Sequence, residues 1–200
     1  MTLNQHKNQV VFTNKARCRD CYRCIRVCPV NAIGLRDSQA YVDNQRCLSC
    51  GTCIRHCPQH AKSFRNDLDL VIDLINSSDN IAVSIAPSFA GFFDTWQINR
   101  LPSALRKLGF TFVAETAVGA YHVANETANY VKNNTGSLQI ATACPAVVSC
   151  IEMYKPQLTK NLIPVVSPMI AHARQLKANL PENTPIIFIG PCVAKKDEAE

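Results

Sequence analysis

The sequence predicts two domains of different class: a small α+β module organised by cysteines, then an α/β domain with a parallel, doubly wound sheet. Three observations predict this. A cysteine run occurs twice within residues 18–57, apolar segments beyond residue 80 alternate between strand and helix patterns, and the net positive charge sits at the N-terminal end. A chain of 200 residues has room for one medium domain and one small one. With 47% apolar residues, the later part can bury a sizeable core. The expected division is 1–66 for the cysteine module, 67–79 for a connecting helix and 80–200 for the α/β domain.

The string "CRDCYRCIRVCP" places Cys18, Cys21, Cys24 and Cys28 in a C-x2-C-x2-C-x3-C-P run, and "CLSCGTCIRHCP" repeats it with Cys47, Cys50, Cys53 and Cys57, 29 residues later. Each run is the bacterial pattern for a [4Fe–4S] cluster, and the doubled form exchanges its fourth ligands. Cys18, Cys21, Cys24 and Cys57 are therefore expected to hold one cube, and Cys47, Cys50, Cys53 and Cys28 the other. The tight loop converges thiolates and amide N–H groups on a compact anion, and the proline after the fourth cysteine ends any helical continuation. Zinc also takes four thiolates, usually from two C-x2-C pairs separated by a longer span, which these runs fit poorly. Between the runs, "AIGLRDSQAYV" reads as a hairpin turning around Asp37-Ser38-Gln39. So small a domain cannot rest on an apolar core alone, so the clusters are expected to be structural as well as redox-active.

Residues 1–66 carry eleven Lys/Arg against three Asp (11 − 3 = +8), and the remainder ten against twelve acids (10 − 12 = −2). Two oxidised clusters with their thiolates add about −4, leaving a modest positive face. An acidic redox partner such as ferredoxin suits that face better than nucleic acid, since no aromatic residues interleave with the basic ones. No apolar run of eighteen residues is present, so no membrane-spanning helix is expected. The start "MTLNQHKNQV" lacks a secretory h-region. Eleven cysteines then point to metal in the cytoplasm, not to disulfides.

"NDLDLVIDLINSS" (66–78) reads as the connecting helix with Asn66 as N-cap. "IAVSIAP" (81–87) reads as a strand, "LPSALRKLG" as a helix with Pro102 near its start and Gly109 at its end, "FTFVAE" as a strand and "AYHVANETANYVKN" as a helix. "LQIAT" and "PAVVSCIEMY" continue the alternation, as do "SPMIAHARQLK" and "TPIIFIG". Such alternation makes a parallel sheet, whose chemistry gathers beyond the carboxyl ends of its strands. Three corners fall there: Ala86-Pro87-Ser88, Ala143-Cys144-Pro145 and Pro191-Cys192. Among the remaining candidates, Cys150 and Trp96 read as core residues. His122 and His172 read as surface or core, and the filled cubes leave His56 and His60 no ligand role.

A doubled [4Fe–4S] module followed by "TACP" and "GPCVAKK" resembles the iron-only ([FeFe]) hydrogenase large subunit, N-terminal part. The resemblance runs over nearly the whole chain from about residue 10. It implies a ferredoxin-like domain followed by a hydrogenase-type α/β domain, in an anaerobic redox setting served by hydrogenase maturation machinery. The family's T-S-C-C-P-G-W signature places a cluster ligand at Cys144, and its M-P-C-x-x-K signature places another at Cys192. With two cysteines of a third signature these hold the [4Fe–4S] part of the H-cluster, bridged to a two-iron site bearing CO and cyanide. The same resemblance makes Lys195 a donor to one cyanide and Ala86-Pro87-Ser88 the loop that contacts the other.

The departures are specific. The family's proton-transfer cysteine falls on Ala143, its Met on Gly190 and its Trp on Val147. Two relay carboxylates fall on Thr127 and Tyr130, with only Glu126 acidic nearby. This combination resembles the sensory subgroup, whose members carry a PAS or other signalling domain further along. The third signature is absent before "KKDEAE", so the expectation is a fragment, incomplete at its C-terminus, with two of four ligands for the H-cluster cube. The expected function is an iron–sulfur redox protein with impaired proton transfer that senses H2 or redox state. The alternatives are an active ferredoxin-dependent hydrogenase and a two-cluster ferredoxin-type electron carrier.

Overall fold

A computed structural model describes residues 9–199; the N-terminal stretch read for a secretory signal lies almost wholly outside them. The described chain divides into two compact units. Of the described residues, one comprises 9–66, 144–160 and 192–199, and the other 67–143 and 161–191.

The first unit is built on the sequence repeat. Strand β1 (Val11–Thr13) pairs antiparallel with β4 (Lys62–Phe64), and β2 (Ile33–Arg36) with β3 (Gln39–Val42). The β2–β3 turn uses Asp37 and Ser38, both left-handed at φ 51° and 57°, which matches the twist a two-residue hairpin requires. Gln39 is already the first residue of β3. Helix α1 (Arg23–Val27) rises from the first cysteine run and α2 (Thr52–Arg55) from the second. Each begins at a left-handed residue, Tyr22 (φ 57°) and Gly51 (φ 74°), so both runs make the same backbone bend. Val10, Val11, Ile33, Ala40 and Val42 form the apolar core with Cys24 and Cys53.

Helix α8 (Pro145–Tyr154) and α10 (Lys195–Glu198) complete this unit and pack against each other. Tyr154 donates its hydroxyl to the Arg46 carbonyl at 2.7 Å, Lys196 stands 5.6 Å from the Phe64 ring centroid, and Val193 packs against the core. By contact, α8 and α10 thus belong with the cysteine unit, although they lie within residues 80–200. The strand–helix alternation is local, whereas membership of a unit is decided by such long-range contacts.

The second unit is a three-stranded parallel sheet in the order β6–β5–β7, with β5 (Ala82–Ile85) central between β6 (Phe112–Glu115) and β7 (Ile186–Ile189). All four residues of β5 are buried, as a parallel strand covered on both faces must be. Ile81, Val83 and Ile85 pack with Leu74 and Ile75 of α3 (Leu68–Ser77) and with Leu101 and Leu105 of α6 (Leu101–Lys107). On the opposite face, Ser84 meets His172 of α9 (Pro168–Asn179), and α9 packs along α7 (Ala117–Asn133). Short helices α4 (Phe89–Phe92) and α5 (Thr95–Ile98) follow β5.

Three expectations need correction here. "LQIAT" is not a sheet strand: it makes only an isolated parallel bridge, Ile140 to Leu162, with Thr142 donating to the Ile163 carbonyl at 3.2 Å. Trp96 is no core anchor, being 58% exposed with Arg100 stacked 5.4 Å from its ring centroid. The N-cap position of α3 falls on Asp67, not Asn66. Among the described residues no helix is long and apolar enough to cross a membrane.

Candidate metal centres

Cys18, Cys21, Cys24 and Cys57 line one hollow of the first unit, and Cys28, Cys47, Cys50 and Cys53 line a second. The exchange of fourth cysteines follows from the fold. Cys28 leaves α1 in extended geometry toward β2, and Cys57 follows the αR C-cap His56 of α2 toward β4, so each reaches the hollow of the partner run. Ala32 N–H donates to Cys28 Sγ and Ala61 N–H to Cys57 Sγ, both at 3.2 Å. Ser49 N–H reaches Cys47 Sγ at 3.4 Å. Cys21 and Cys50 are exposed while Cys24, Cys53 and Cys57 are buried, so each hollow has a wet side and a dry side.

Burial pushes the Cys53 thiol up to about 12, against a pull in the other direction from the Lys62 ammonium. It also raises Cys24 and Cys47; neighbouring thiols add to both, and Asp197 adds to Cys47. Cys57 alone is lowered. Its burial is outweighed by the backbone N–H groups of Lys62, Ala61 and Gln59 and by the Lys62 charge.

These donors fit a [4Fe–4S] cluster in each hollow. Four thiols line each hollow and backbone N–H groups point at sulfur. Among the described residues no three His, Cys, Asp or Glu side chains converge as ligands of a single ion. In a cube each iron takes its own thiolate, which spaces the sulfurs more widely. The lining also contains a residue that the spacing of cysteines does not reveal. Lys62, 3% exposed, borders the Cys18 hollow and donates to Thr13 Oγ1.

The other candidates are placed as follows. Cys144 caps the N-terminus of α8 with Pro145 as its first residue, and Cys192 follows β7; both are exposed. Lys195 is ion-paired to Glu198 at 2.6 Å. In the second unit, Ala86 and Ser88 line a cavity of about 680 Å3 with Phe89, Ile189, Gly190 and Pro191, while Pro87 is not in its lining. That cavity lies beyond the carboxyl ends of β5 and β7, where parallel sheets place ligands. Thr127 and Tyr130 are half-buried on α7 and Glu126 is exposed. Cys150 is half-buried on α8. His172 is core, 2% exposed and hydrogen-bonded to Ser84 Oγ at 2.7 Å.

A pseudo-symmetric eight-cysteine module joined to a parallel α/β unit defines a two-cluster iron–sulfur protein. Residues 17–61 match a 4Fe-4S dicluster domain, and residues 79–200 match the family described as iron only hydrogenase large subunit, C-terminal domain. The chain belongs to the iron-only hydrogenase large-subunit family. Its fold is similar to that of an [FeFe]-hydrogenase solved in a study of oxygen inactivation through the H cluster 2Fe subcluster, with a TM-score of 0.50 and 17% identity over 68% of this chain. The match covers 41% of that structure, so the chain spans about two fifths of its length.

Proposed function

We propose that the chain passes electrons through two [4Fe–4S] clusters to a hydrogenase-type site with impaired proton transfer, in a protein that senses H2 or redox state. Cys18, Cys21, Cys24 and Cys57 would hold one cluster and Cys28, Cys47, Cys50 and Cys53 the other. Cys144 and Cys192 would supply two of four thiolates to the H-cluster cube, Lys195 a cyanide donor, and Ala86, Pro87 and Ser88 the facing loop. The clusters, when bound, supply one-electron storage; the protein supplies burial, N–H donors and the basic face on which an acidic ferredoxin of the cytoplasm would dock.

The observation that carries the sensory reading is Ala143, immediately before Cys144. A methyl group cannot hold or deliver a proton, and loss of a general acid typically removes about 10²–10⁴-fold in rate. Asp or Glu does not replace the missing relay at Thr127 or Tyr130. The test is H2 evolution from a reduced viologen by the matured full-length protein, compared with its Ala143→Cys variant. The reading expects the variant to be faster by at least about a hundredfold. Equal turnover would refute impaired proton transfer and favour the active-enzyme alternative. The completeness of both four-cysteine hollows within one unit supports a two-cluster electron carrier as the second reading. That reading stands if the matured protein binds about eight irons, four per cluster, and no more.

A further inference from the structure

The repeat that builds the first unit allows its two hollows to be compared position by position. Register β1–β4 sets Thr13 opposite Lys62, and register β2–β3 sets Val42 opposite Ile33. Lys62 lies 29 residues after Ile33, the same offset that relates the two cysteine runs. Ile33 and Val42 line the Cys28 hollow, while Lys62 and Thr13 line the Cys18 hollow. One hollow thus has an apolar pair where its twin has a lysine and a hydroxyl.

That lysine is 3% exposed. Among the described residues it forms no ion pair, and Thr13 Oγ1 is its hydrogen-bond partner. A buried ammonium without a carboxylate partner is costly, and the thiolate-bound centre beside it would supply an anion. Other groups do not cancel the asymmetry. Arg19 and Asp20 line the Cys18 hollow with opposite signs and no charged side chain lines the Cys28 hollow, so the count is +1 against zero. Asp197 acts on Cys47, adding negative charge near the second hollow. The backbone donors to Cys28 and Cys57 match at 3.2 Å.

We propose that the buried Lys62–Thr13 pair makes the centre held by Cys18, Cys21, Cys24 and Cys57 the more easily reduced of the two, so that an electron entering the module resides there. The inference rests on the two-cluster reading above. Lys62 meets one added negative charge when that centre accepts one electron from a one-electron donor, and no bond is made or broken. Lys62 also acts on Cys53, but it lines the Cys18 hollow and not the Cys28 hollow, so the second centre should feel it less.

The full chain, reconstituted with iron and sulfide, would be titrated with dithionite against redox mediators and followed by electron paramagnetic resonance. Two one-electron waves are expected, the upper one disappearing in Cys57→Ser. Lys62→Gln, which keeps a donor for Thr13 and removes the charge, should lower the upper wave by at least about tenfold in its oxidised-to-reduced ratio, about 59 mV for one electron. The lower wave should move by less. Should Lys62→Gln fold poorly, Ile33→Lys tests the same idea from the other side by raising the lower wave. A fully loaded protein whose waves do not move in either variant, or move equally, overturns the role of Lys62. A wild-type chain that binds fewer than about eight irons, four per cluster, overturns the two-cluster reading instead, and this inference with it.

Discussion

Replacing Gly119 by alanine pits two effects against each other, and the structure decides which wins. Gly119 is the buried residue of α7 where that helix meets α9. A Cβ built there would press on the Pro168 carbonyl oxygen, 2.7 Å from His172 Cβ and 2.8 Å from His172 N. Two of those atoms are backbone, so no side chain can swing aside and the helices themselves must separate. Relief of overpacking of this kind costs about 1–3 kcal/mol, against about 1 kcal/mol gained from alanine's helix propensity. With backbone on the receiving side the cost lies at the upper end, for a net loss of about 2 kcal/mol. In a chain of this size that lowers Tm by about 4–8 °C. The assay is thermal unfolding by circular dichroism, with Gly91→Ala as control, since a Cβ at Gly91 meets nothing within 4 Å. Gly91→Ala should leave Tm unchanged or raise it slightly. A Gly119→Ala protein as stable as wild type would refute the claim that α7 and α9 are held at glycine distance.

Two further predictions concern ligands and protons. Cys57→Ser should damage the centre of Cys18, Cys21 and Cys24 while sparing that of Cys47, Cys50 and Cys53, and Cys28→Ser should do the reverse; iron content and electron paramagnetic resonance would reveal an uncrossed pattern if the assignment is wrong. Burial holds His172 below its ordinary pKa of 6.5, so the unfolded chain takes up the proton first. Stability from this site is full above about 6.5 and is lost as pH falls below it toward the folded value. His172→Gln should flatten that slope in denaturant titrations from pH 7 to 5, and an unchanged slope would remove His172 as its source.

The cysteine spacing was legible because it is chemistry written in sequence order: thiolates at x2 intervals fit a cube whatever surrounds them, and the 29-residue offset exposes the repeat. The strand and helix periods of β5, β6, β7, α7 and α9 were legible for a similar reason, since apolar spacing reports a covered face. "LQIAT" has the same apolar spacing, yet its backbone partners lie at Asn161 and Leu162, and no local pattern reveals which segment will be adjacent. Trp96 looked like an anchor by composition, but the short helices after β5 leave it stacked on Arg100.

By itself, then, the sequence determined the donor set and the two cysteine loops, because each is a property of neighbouring residues along the chain. Tertiary structure decided that 144–160 and 192–199 join the cysteine unit, and that Lys62 lies buried against one set of thiols while Ile33 lies against the other. Those depend on strand register and on contacts between residues far apart in sequence. Burial removes most of the water that would screen the Lys62 charge.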